Sequence, residues 1–272
     1  DLENFGNITS QQKAFAVAGK DLNNHGNLIG NSETHATAKG DVNNYRNILS
    51  DGEVLIHADK NVKNQGEKDQ KAVIVSRGAS VTVTAKRDIT NSDTIAALKE
   101  VALNGEGPAS TIKSEKGSLL AAGATFNPET KEWKFEKSGE IKVNAPIISL
   151  NGNTVAGQTL RAKGESINLA DSTTQTATLD LTATAGNVDA TGATITTHHF
   201  KTTARENFIT NRADITTDTA LLAGKKWLNQ EKAVFTQTGI GALGLDFKDG
   251  IDNTTGQMLL HTESLTLNTP TV

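Results

Sequence analysis

Apolar residues alternate with polar ones over short runs of this chain, and the runs return as a set every twenty residues. Leu2, Leu22, Val42 and Val62 form one column, and Ile8, Leu28 and Ile48 a second. Ala16 and Ala18, then Ala36 and Ala38, then Ile56 and Ala58 form a third. Spacing of two is strand periodicity, and the three-and-four spacing of an amphipathic helix is missing from the same windows. A strand-rich unit of this size cannot bury its apolar side alone, whereas a stack of such units makes a continuous core. The pattern therefore predicts an all-β solenoid, with small side chains such as Ala marking a narrow interior.

A polar column accompanies the apolar ones. Asn4, Asn24, Asn44 and Asn64 stand two residues after the first apolar position. Amides stacked at the inter-strand spacing of ~4.8 Å can hydrogen-bond along a ladder, and Asn suits a strand end. Gly6, Gly26 and Gly66 follow two residues later and are expected to supply the positive φ of a corner, with Arg46 in that place in the third copy.

The repeat is regular over 1–66 and divergent over 67–272, which is read as the same continuous solenoid with protruding loops. Asp88 stands where Asn61 does, and 88 − 61 = 27 leaves seven residues for a loop in or near EKDQKAV. IAALKEVALNG, within the irregular stretch 92–145, allows a strand pair or a short helix. FNPETKEWKFEKSGEIKVNA reads as a hairpin projecting from the stack, with Trp133 and Phe135 alternating with charges and Gly139 in the connection. Val188, Phe208 and Leu228 recur at steps of twenty, and GIDNTTGQMLLHTESLTL restores the repeat through Ile251 and Asn253. About twelve coils at ~4.8 Å would make a rod roughly 55–60 Å long.

Composition agrees with a slim stack: aromatics are 4% and proline only 4 residues. The net charge of −4 comes from 27 basic and 31 acidic residues interleaved along the chain, which gives no basic field and argues against nucleic acid as a partner. No apolar run has the ~18 residues of a membrane-spanning helix. The absence of cysteine is compatible with export in an unfolded state. The repeats begin in mid-pattern at residue 1, as expected of a segment of a longer polypeptide.

The words GKDLNNHGNLIG, AKGDVNNYRNIL and GIDNTTGQMLLHTESLTL resemble the haemagglutinin repeats of two-partner-secretion exoproteins. That family includes filamentous haemagglutinin and the contact-dependent growth inhibition effectors of Gram-negative bacteria. The match is specific over 1–66, fair over 250–267 and architectural elsewhere. The resemblance implies a right-handed parallel β-helix, export through a cognate outer-membrane transporter, and display outside the cell as a filament. Two family hallmarks are absent: an NPNG-like secretion motif, for which Asn127-Pro128 followed by Glu129 is no substitute, and a VENN-type boundary before a toxin. An interior segment is expected. In the inhibition effectors a divergent stretch recognises a receptor on the target cell, and the fading of the period after residue 66 resembles that transition. The implied partner is an outer-membrane receptor protein or a surface glycan.

The chemistry of catalysis is sparse. GIGALG at 239–244 matches a dinucleotide fingerprint in letters, but LDFKDGIDNTTG after it cannot supply the required helix, so no cofactor is expected. The six histidines are scattered, and His198 and His199 would point to opposite sides of a strand, so no metal site is expected. Asp51 and Glu53 share a strand side, as many solvated pairs do, and no nucleophile motif accompanies them. Asn7-Ile8-Thr9 and Asn253-Thr254-Thr255 are sequons in a repeat already rich in Asn and Thr. The expectation is a binding protein without enzymatic activity. Its candidate contact residues are Trp133 and Phe135 in the 126–140 hairpin and Ile240, Leu243 and Leu245 in the 239–250 loop, because large apolar side chains dominate binding hot spots. Trp227 and Phe235 either fill a wider coil or join that set. The rival readings are a host-cell or glycan adhesin, a passive spacer and a polysaccharide-degrading β-helix enzyme.

Overall fold

Each regular coil is built from three short strands joined by tight bends: Leu22–Asn24, Asn27–Gly30 and Glu33–Ala38 in the second copy. The computed structural model describes residues 1–127, 130 and 132–271, and for Phe126, Asn127 and Trp133 the backbone alone. The described residues contain strands and turns but no helix. Coil-to-coil pairing is parallel throughout, with Leu2, Leu22, Val42, Val62, Ile89 and Ile112 stacked in register. One sheet of 12 strands forms the short side, and a 21-stranded sheet folded at its bends forms the two long sides. The chain is thus a β-solenoid. Residue 66 marks no break in it, since Val62–Asn64 pairs with the coil on either side.

Alternation decides what faces the lumen. In Glu33–Ala38 the inward Thr34, Ala36 and Ala38 are buried and the residues between them are not. Asn44, fully buried, is held four times. Its Oδ1 accepts from Asn24 Nδ2 at 2.8 Å, and its Nδ2 donates to Asn64 Oδ1 at 2.8 Å and to the carbonyls of Arg46 and Val73 at 3.1 and 3.2 Å. The same chain of amides runs from Asn4 through Asn24 and Asn64 to Asn91. Every link is a coil-to-coil bond that supplies the donor to a buried Oδ1, while the amide nitrogens also reach backbone carbonyls.

Three expectations change. Gly26 and Gly66 do not adopt positive φ. They are needed because a Cβ would overlap the carbonyl oxygens of Gly6 and Gln70, so the constraint is close approach of backbones. Where Arg46 takes that place, the hydrogen bond from Asn47 N–H to Gly26 O is 3.2 Å, against 2.8 Å from Asn27 N–H to Gly6 O. That corner relaxes to admit the side chain. Second, Leu228 pairs with Ile209, and Trp227 pairs with Phe208. The inward column takes Trp227 because a slip of one residue turns the larger ring to the lumen. Third, of the seven extra residues in the fourth coil, six lie between Asn64 and Val73 and one between Ser76 and Val81, as the pairings Val73 with Asn47 and Val81 with Val54 require. IAALKEVALNG forms the strands Thr94–Ala97 and Glu100–Gly105.

The lumen is lined by aliphatic side chains, many of them alanine, in the early coils, and aromatic rings join them in the later ones. Phe200, Phe208, Trp227, Phe235 and Phe247 are buried in mutual contact, with centroid separations of 5.2–5.8 Å. Trp227 Nε1–H donates to Thr210 Oγ1 at 2.9 Å, which satisfies its one polar atom. Trp227 and Phe235 therefore fill a wider coil and are not surface contacts.

Replacement of Asn44 by Ala will leave Asn64 Oδ1 without a donor in the core, while Asn24 Nδ2 keeps the carbonyls of Gly26 and Asn47. A loss of roughly 1–3 kcal/mol is expected in urea denaturation, the cost of one buried polar group left unpaired. A stability within experimental error of the parent would remove the ladder from the account of the fold.

Candidate recognition surface

The chain leaves the stack once for an antiparallel excursion among the described residues. Ala124–Asn127 pairs with Glu132–Phe135, and the next strand, Glu140–Asn144, rejoins the solenoid in register beside Glu100–Gly105. Gly123 and Gly139 form the neck, at φ of 74° and 105°. These are left-handed conformations that side chains resist, and a Cβ on Gly139 would also overlap the backbone of Gly123. Glu136 N–H donates to Gly123 O at 2.6 Å and closes the neck. Gly139 thus serves the re-entry point and lies outside the hairpin's own connection. Pro128 and Glu129 lie outside the described residues.

The root of the hairpin packs on the solenoid wall. Ile74, Ile95 and Leu120 face the lumen, so Val75, Ala96 and Ala121 face outward, yet all three are buried. With Ala124 they form a second apolar cluster outside the lumen, flanked by Leu49, Val73 and Leu119. The strand Ala124–Asn127 lies against Thr94–Ala97. Outward alanines at 96 and 121 leave room for this packing, and apolar side chains on an outer face reward it.

On its other flank the hairpin bounds a groove. One wall is Phe135, Glu136 and Lys137, and the floor is Val155–Gly157, Gln175–Ala177 and Thr196–His198. Gly157 allows the approach, since a Cβ there would overlap the carbonyl oxygens of Glu136 and Ser138. Val155, Gln175 and Thr196 stand in one outward column on successive strands. Phe135 is 44% exposed at the edge. Glu136 is paired with Lys134 at 2.8 Å.

At the far end of the groove His198 and His199 are both exposed, contrary to the opposite-sides expectation, because the strand bends from one long side to the other between Thr197 and His199. Thr197 Oγ1–H is within reach of Ala177 O and His199 O at 3.1 and 3.2 Å, which fixes the bend. His198 Nδ1 is 2.6 Å from Asp218 Oδ2, and His199 Nδ1 is 2.8 Å from Thr219 Oγ1. Asp218 also accepts from Thr238 Oγ1 at 2.7 Å. Donation by Thr238, and next by His198, holds the Asp218 carboxyl below the usual carboxylate range.

The candidate contacts separate. Phe135 lines the groove, and Ile240 is 59% exposed on the bend before Leu243–Phe247. The Trp133 side chain lies outside the described residues. Leu243 and Leu245 are buried in the lumen and cannot meet a partner, because strand alternation turns them inward with Phe247. GIGALG accordingly runs into a strand and not a helix. Among the described residues no group of three or more His, Asp or Glu converges on a possible metal position.

One arrangement escaped the sequence reading. Phe5, His25 and Tyr45 stack face to face on an outer corner at 4.7 and 4.5 Å. His25 Nε2 is 3.6 Å from Glu3, and its Nδ1 is 3.2 Å from Glu67, which ties the inserted loop to the stack. Burial first, then Glu67 and Glu3, push the Tyr45 hydroxyl pKa up. The twenty-residue spacing of 5, 25 and 45 was the available signal.

No family model matches the chain, and no solved structure matches it. Among known proteins the chain is similar to "Toxin CdiA" of Yersinia pestis, at 30% identity over 165 residues, covering 58% of this chain. The chain spans only 5% of that relative's length. This similarity and the β-solenoid together fit a CdiA-like, haemagglutinin-repeat segment.

Two outcomes test the groove's construction. Gly157→Val will force residues 136–138 off the wall, seen as faster amide exchange across the hairpin neck with the lumen strands unchanged. Thr238→Val will raise the Asp218 pKa in a carboxyl NMR titration. The native value lies below the ordinary one of 3.8, so these bonds stabilise the fold above that pH and are lost as pH falls through the native value. An unchanged Asp218 midpoint would show that Thr238 does not hold the carboxylate.

Proposed function

We propose that this chain is a surface-displayed stalk and receptor-binding segment of a long, secreted two-partner exoprotein. It holds its outer face away from the producing cell and engages an outer-membrane receptor on a neighbouring bacterium, in the service of toxin delivery. The parent protein reaches the surface through a cognate outer-membrane transporter. No catalytic step belongs to this reading.

The observation that carries the recognition role is the hairpin with its groove. A stack optimised only for length has no use for an excursion that needs two left-handed glycines, a cleared patch of outward alanines and a glycine on the wall beneath it. The stalk role is supported by coil-on-coil pairing from Leu2 to Asn268 and by similarity to Toxin CdiA of Yersinia pestis. The Phe135 ring at the groove edge has the exposure of a binding anchor.

Cells displaying the parent protein with Trp133→Ala and Phe135→Ala together are expected to attach to target bacteria at least tenfold less, with export and the circular-dichroism spectrum unchanged. Undiminished attachment would reduce the segment to a spacer. Loss of attachment to mammalian cells alone would favour a host adhesin, and release of sugar fragments from envelope polysaccharide by the purified chain would favour an enzyme.

A further inference from the structure

One outward column of the solenoid changes character at the hairpin. Ile29, Leu49, Val75, Ala96, Ala121 and Val155 follow one another in register, all apolar. On the far side of the hairpin the same column continues as Gln175, Thr196 and Thr216. None of these three side chains has a hydrogen-bonding partner among the described residues, nor does Lys137 on the groove's rim. Outward amides of the early coils differ, because they satisfy one another: Asn27 donates to Asn7 at 2.6 Å and Asn47 to Asn27 at 2.7 Å. The groove therefore presents an aromatic ring at its edge and the unanswered Gln175 and Thr196 on its floor, and Thr216 continues the row past the groove's end at the strand spacing of ~4.8 Å.

A ligand that fits must lay an apolar face on Phe135 and offer hydroxyls at intervals along the solenoid axis. A pyranose chain does both. The C–H face of a sugar ring packs on an aromatic ring, its rim hydroxyls donate and accept, and one ring of an extended glycan is comparable in length with one strand-to-strand step. A concave site with an aromatic and a few convergent polar groups is the general form of such sites. Charge narrows the class. Glu136 is neutralised by Lys134 and Asp218 is paired with His198, which leaves Lys137 as a single unpaired cation on the rim among the described residues, too little for a field that would hold a polyanion.

We infer that the groove binds an extended, essentially uncharged polysaccharide strand running along the solenoid axis, with Phe135 stacking on one ring and Gln175, Thr196 and Thr216 bonding the rings that follow. The inference rests on the reading of this groove as the contact surface and names the chemistry of what it contacts.

Saturation-transfer NMR on the intact chain with cellohexaose, chitohexaose and maltohexaose tests it. Transfer is expected to at least one of the two extended hexasaccharides and not to the curved maltohexaose. The signal should fall at least tenfold in Phe135→Ala and, separately, in Gln175→Ala, whose exposed side chain can be lost without disturbing the lumen. Thr82→Ala, on the other long side, should leave it unchanged. Silence from both extended probes, equal transfer to maltohexaose, or undiminished transfer in the two groove variants would each overturn the inference. Cell attachment that depends on Phe135 while both extended probes stay silent would retain the recognition role and assign the groove to a protein receptor. Phe135-dependent sugar binding with attachment unaffected would retain the glycan site and sink the receptor role.

Discussion

Every coil of this molecule completes its backbone hydrogen bonds only through the coils above and below it. A strand such as Leu22–Asn24 has no partner within its own coil, so its amides depend on Leu2–Asn4 on one side and Val42–Asn44 on the other. Like then stacks on like. An inward position repeated in register needs a side chain that packs on its own copy, and an aliphatic or alanine column does so by shape. An asparagine column does so by chemistry, because each amide is donor to one neighbour and acceptor from the other. The ladder is thus a consequence of parallel in-register stacking and also a lock on it, since a slip of one residue would bury unpaired amides.

The same constraint dictates where the chain can vary. An insertion within a strand would shift every later side chain to the wrong face, whereas one at a bend leaves the pairing intact. The extra residues of the fourth coil fall between strands, and the next coil regains register at Ile89 opposite Val62. The hairpin follows the rule too: it leaves after Ala122 and Glu140 returns opposite Glu100. A solenoid built this way can carry extra elements at its bends without loss of continuity.

Charge of both signs is spread along the solenoid. Many exposed ion pairs join adjacent coils, among them Lys13 with Glu33 at 2.5 Å and Lys86 with Asp59 at 2.7 Å. Each contributes little alone, being exposed and screened. Their main effect is to keep an elongated surface hydrated and free of a single-sign field.

The twenty-residue columns, the parallel strands and the amide ladder were all legible in the sequence, because stacking forces equivalent positions to carry equivalent residues and the repeat displays them directly. The hairpin was legible as a break in that rhythm. Its packing was not. Whether an outward alanine at 96 or 121 faces water or a neighbouring element depends on residues distant in the chain, and alternation alone assigns it to the surface. The sequence also misplaced Leu228 by one residue and left Leu243 and Leu245 in a loop, because a glycine-rich bend hides the phase at which the next strand begins. Local pattern determines which residues alternate. The direction in which an irregular coil points them, and the groove that results, is set by the fit of one coil on the next.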